Sequence, residues 1–213
     1  MLTQTSEKQE KYQEVLQSAE TLYRQNPDYE DDGPVERRIR ETLDSRRERL
    51  LKDTPVSGLG VRLTLDDASL RAEACLRAAA YADPRWIDVL GELLDDDAEI
   101  VRRSADYALF KIAQKEPGAV RARRDAWLSS PQPLVRIRAL NLFADLDGRN
   151  ALPLVAAALR DPVPAVRAYA EVMVLQHYFQ AQPETAKLRA RSMAEEKDPE
   201  VLAFVRRFSK NGR

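Results

Sequence analysis

One short phrase returns along the chain at a fixed internal spacing: Asp96 to Val101-Arg102, Ser130 to Val135-Arg136, and Asp161 to Val166-Arg167. A weaker copy, Asp66 to Leu70-Arg71, is one residue tighter. The arginines at 71, 102, 136 and 167 are separated by steps of 31, 34 and 31 residues. That length holds one helical hairpin and little else, so the chain reads as an array of similar units before it reads as anything else.

The residues around each phrase carry helical periodicity. Val101, Ala105, Ala108, Leu109 and Ile112 recur three and four apart, as do Val135, Ala139, Leu142, Phe143 and Leu146, and then Val166, Ala170, Met173 and Val174. Each stripe follows a second apolar segment, Trp86 to Leu94, Val120 to Leu128 and Leu152 to Leu159, with breaks at Pro84, Pro117-Gly118 and Asp147-Gly148. Between the paired segments, Asp95-Asp96-Asp97, Ser129-Ser130-Pro131 and Asp161-Pro162 supply capping oxygens and first-turn prolines where a second helix must start. No stretch alternates as a strand does. Ala105, Ala139 and Ala170, three residues after each arginine, mark where two helices cross closely, because only a short side chain admits a close crossing. The expected fold is all-α: an α-solenoid of about four to five antiparallel helical hairpins.

The ends depart from the repeat. Residues 1–60 read as a helical N-terminal cap or arm, with an amphipathic helix over Glu7 to Gln25 and a hinge near 53–60 that includes Gly58 and Gly60. Residues 61–213 read as the repeat solenoid, its last hairpin placing Ala203-Phe204 where earlier copies have Val-Arg. Terminal units of an array are expected to be atypical, since they must cover its open ends.

The turn aspartate, the Val-Arg pair at the start of a second helix and the alanine three residues later resemble the HEAT repeat. The likeness is to its short bacterial form, found in phycobilisome-lyase-like proteins, and it covers Asp66 to about Phe208. In HEAT arrays the turn aspartate and helix arginine form a hydrogen-bonded ladder between neighbours. The resemblance therefore assigns Asp96, Arg102, Arg136, Asp161 and Arg167 to structure, and Ser130, which has no carboxylate, should weaken the ladder at the third unit.

Composition narrows the function. A formal net charge of −1 with 32% charged residues describes a surface of mixed sign, without the excess that would draw nucleic acid or an anionic membrane by itself. One cysteine, Cys75, precludes an internal disulfide and any multi-cysteine metal site, and with no apolar run of ~20 residues the chain reads as cytoplasmic, without a targeting segment. His177 is the single histidine and sits on the register of Ile112 and Leu146, a core position. A zinc site or histidine-dependent triad cannot be assembled from it. Cys75, on the register of Asp106, Leu140 and Glu171, reads as an outward or boundary position without an activating neighbour. The acidic clusters lack calcium-loop spacing and the glycines precede no phosphate-loop lysine. No catalytic residue, metal ligand or cofactor is expected.

What remains is surface. Second helices of such arrays line a concave face, where the positions two after each arginine hold Glu73, Ser104, Arg138 and Tyr169 and those five after hold Leu76, Tyr107, Asn141 and Val172. Tyr107, Arg138, Asn141 and Tyr169 are the candidate contacts for a protein or peptide partner. The expected function is a non-enzymatic interaction scaffold. The resemblance also implies an alternative, a subunit of a bilin lyase-type enzyme or chromophore-handling complex. A DNA-reading array of the HEAT-like glycosylase kind is disfavoured, because Trp86 and Trp127 lie on first helices and the inner columns mix Lys111 and Arg138 with Glu73 and Asp145.

Overall fold

A computed structural model describes residues 58–172, 175 and 183–210. The proposed N-terminal cap up to residue 57 and the His177 position lie outside the described residues. Those that are described form helices and turns with no strand among them, as the absence of alternating patterns implies. The chain divides into two compact units at Leu146 and Asp147.

The first unit, described over 58–146, begins with α1 (Leu59–Arg62), entered from Gly58, whose φ of 88° is left-handed and suits glycine. Gly60, read from sequence as part of a hinge, lies inside α1, and a Cβ there would stand 3.4 Å from the Trp86 ring. α2 (Ala68–Tyr81) starts at Asp67, whose side chain accepts from the backbone N–H groups of Ser69 and Leu70. It ends at Ala82 in the left-handed region. A 3₁₀ turn at Pro84–Trp86 leads into α3 (Ile87–Glu92), and α4 (Glu99–Lys115) packs on both α2 and α3. Two short helices, α5 (Pro117–Arg121) and α6 (Arg124–Leu128), then precede α7 (Pro133–Asp147).

The second unit, described from 147, contains a 3₁₀ turn at Gly148–Ala151, α8 (Leu152–Ala158), α9 (Pro164–Tyr169), α10 (Pro183–Glu195) and α11 (Pro199–Lys210). Beyond Tyr169 the chain loosens into a π-helical turn at Ala170–Val172. Ala168 and Val172 pack with Val201 and Val205 of α11, against which Met193 and Phe204 lean.

Second helices bury a broad face. Ala105, Ala139 and Ala170 are each fully buried, as close crossings demand. First helices also approach closely in one place. At Gly91 of α3 a Cβ would lie 2.7 Å from Nε1 of Trp127 on α6, so the indole occupies the space that any side chain would need.

Candidate interaction surfaces

The arginines of the repeated phrase share one geometry. Nη1 of Arg71 donates to the carbonyls of Leu65 and Asp66, that of Arg102 to Asp96 and Asp97, that of Arg136 to Ser130, and that of Arg167 to Asp161 and Pro162. Each guanidinium thereby ties off the turn that opens its own helix. The remaining nitrogens of two of them reach forward. Arg71 Nε and Nη2 donate to Asp96 Oδ2 and Oδ1, both at 2.8 Å, and Arg167 Nε and Nη2 donate to Glu196 Oε2 and Oε1 at 2.7 and 3.0 Å. Such two-bond forks need the planar guanidinium. Arg102 is 1% exposed, and the next phrase offers it Ser130, whose hydroxyl has no second oxygen for a fork.

This geometry corrects the register at both ends. The carbonyl six residues before each arginine is the one bound, so Leu65, not Asp66, occupies the place of Asp96, and the first copy has ordinary spacing with the acid missing. At the far end, Glu196 takes the turn-acid place. Asp96, Ser130, Asp161 and Glu196 each accept from the backbone N–H two residues on, that of Ala98, Gln132, Val163 and Asp198 respectively. The last copy of Val-Arg is therefore Val201-Leu202, with Val201 buried like Val101 and Val166, rather than Ala203-Phe204. The shared i to i+2 acceptor role was the available signal. A longer glutamate does the work of aspartate there, which hid it.

The candidate partner contacts fare differently from one another. Tyr107 is only 8% exposed and Lys111 Nζ sits 5.3 Å above its ring, so it offers little aromatic face to a partner. Leu76 and Val172 in its column are also buried, as is Ser104 in the column two after the arginine. The physical reason is that these helices are covered on several sides and their apolar arc is wider than a single stripe. Arg138 Nη1 donates to Asp106 Oδ2 at 3.2 Å, linking α7 to α4. Asn141 and Tyr169 are half-buried, as are Glu73 and Arg77, which pair with each other on α2. The accessible stripe of the second helices is thus narrow and polar. On the first-helix side Arg123 forks onto Asp88, a further ion pair between neighbouring segments.

Side chains with reactive potential are absorbed into the packing. Cys75 is fully buried, not at a boundary; Leu140 and Glu171 of the same register are buried with it. Burial, with the nearby Asp96 charge, pushes the thiol pKa up to about 12, so it stays protonated and a poor nucleophile. Glu171 is 1% exposed; burial raises its pKa above the ordinary carboxylate range, against the pull of Arg189, whose Nε donates to Oε1 at 2.9 Å. Glu196 moves the other way, held low by the Arg167 fork and by backbone N–H groups of Lys197 and Asp198. Among the described residues no group of three or more His, Cys, Asp or Glu side chains is placed to hold a metal ion, and no helix is long and apolar enough to cross a membrane. Compared with protein-family models and with curated proteins, the chain matches none of either.

Proposed function

We propose that the chain is a non-enzymatic interaction scaffold, a HEAT-like solenoid of helical hairpins that holds a protein or peptide partner along the half-buried polar stripe of its second helices. The observation that carries this reading is the repeated fork. Arg71 with Asp96 and Arg167 with Glu196 spend their charges on joining one turn to the next, at equivalent positions in two units. Chemistry-bearing groups used in this way serve a frame, and a frame acts through its surface. The stripe available to a partner comprises Glu73 and Arg77 on α2, Asp106 on α4, and Arg138 and Asn141 on α7; Tyr169 on α9 is the half-buried aromatic at the same register in the other unit. Tyr107 supports that stripe from beneath and does not anchor the partner.

Site-specific photo-crosslinking in cells of the native source tests this. A photoreactive residue at position 73 or 141 should capture the same discrete protein, whereas one at Glu92 or Ala122, exposed on the first-helix side, should not. Equal capture from both sides, or none from the second helices, would defeat the proposal.

A further inference from the structure

Two polar side chains of the second unit are closed off from solvent with their hydrogen bonding incomplete. Glu171 is 1% exposed and Thr185 is 2% exposed. Glu171 Oε1 accepts from Arg189 Nε at 2.9 Å, but Oε2 accepts no hydrogen bond among the described residues, and Thr185 Oγ1 makes none among them either. A buried carboxylate with one oxygen unmatched is costly when ionised and much less so when protonated. Glu171 lies in the π-helical turn at Ala170–Val172, a form often found at functional positions. Thr185 and Arg189 stand one turn apart on α10 and so share a face of it. The adjoining face of α10, with Leu188, Arg191, Ser192 and Glu195, forms one wall of a cleft of about 470 Å³ whose other wall is the α8–α9 turn around residues 159–162. Glu171 thus grips the helix that walls this cleft.

We propose that Glu171 is a proton-operated latch for α10: protonated, it holds the helix against the π-helical turn, and on losing its proton it releases the helix that walls the cleft. Among the described residues, the charged group that faces Glu171 is Arg189 on α10. α11 meets the same segment at Ala168 and Val172 through the uncharged Val201 and Val205. Burial raises the Glu171 pKa against the pull of Arg189, so the docked helix holds the proton more tightly than an exposed glutamate does. Docking is therefore strongest below the exposed value near ~4.3 and weakens as pH rises through the raised one. The latch uses no residue at positions 73 or 141, so crosslinking from those positions is independent of its outcome.

The test is hydrogen exchange of the full chain across pH, read by mass spectrometry as protection factors so that the intrinsic pH dependence of exchange cancels. Protection of the α10 amides should fall about threefold or more between about pH 5 and about pH 8. Glu171→Gln, which stays neutral, should hold that protection flat over the same range. Arg189→Met should move the midpoint of the fall to higher pH, because removing the cation disfavours ionisation further. A contact that is merely structural would change the level of protection without moving the midpoint. The latch is overturned by flat protection in the parent, by a pH dependence that persists in Glu171→Gln, or by an unmoved midpoint in Arg189→Met.

Discussion

Arg71 and Cys75 stand one helical turn apart on α2, and the same aspartate governs both. Asp96 accepts the Arg71 fork, and its charge adds to burial in keeping the Cys75 thiol protonated. The thiol should accordingly be silent toward a disulfide reagent at pH 8 while the chain is folded and titrate as one equivalent in guanidinium chloride. Stoichiometric labelling of the native protein would show the burial to be wrong. Glu196 provides a second prediction at this scale. Its folded pKa is depressed by Arg167, so its stabilising contribution is present above the unfolded carboxyl value near ~4.3 and is lost as pH falls through the lower folded value. Glu171 has the opposite sign, because its raised pKa favours the folded state as protons bind. Glu196→Gln should cost about 1–2 kcal/mol at pH 7 and flatten the loss of stability below about pH 5, read from urea midpoints across pH. A variant with the parent's acid slope would remove the fork from the explanation. The burial of Tyr107 was not legible in the sequence, because one chain's periodicity reports an apolar stripe and not how far neighbouring helices wrap around it.

Elements show where local chemistry decides geometry. At Gly91 the Trp127 indole comes so close that a Cβ has nowhere to go, whereas a Cβ at Gly118 on α5 meets nothing within 4 Å. Gly91→Ala should therefore destabilise by about 1–3 kcal/mol through overpacking, despite the helical preference of alanine. Gly118→Ala should be neutral or gain up to ~1 kcal/mol, and equal thermal shifts for the two would contradict the packing of α3 against α6. The turns explain what else was hidden. The helix starts were legible because Asp96, Ser130 and Asp161 are turn-forming acceptors, each taking the N–H two residues on, followed by apolar periodicity. The first and last copies were misaligned by one and two residues because Leu65 offers only its carbonyl and Glu196 replaces the expected aspartate. Backbone acceptors leave no trace in side-chain identity.

At the scale of the molecule, two compact units carry the same device, a guanidinium that ties off its own turn and forks onto the next turn's carboxylate. In the proposed array, stability is approximately a sum of unit terms and nearest-neighbour terms, and the fork is a neighbour term. The all-α class was legible throughout from the lack of alternation. The candidate surface was less so, because how far a second-helix position such as Tyr107 or Ser104 is buried depends on neighbouring helices. The repeated arginine joins neighbouring turns, as Arg71 joins Asp96 and Arg167 joins Glu196, and this role is open to direct measurement. It is measured by a double-mutant cycle in denaturant on Arg71→Met and Asp96→Asn, the latter retaining the oxygen that accepts from the Ala98 N–H in the turn before α4. The fork should give a stabilising coupling of about 1–3 kcal/mol between the two positions. Additivity within about 0.5 kcal/mol would contradict it.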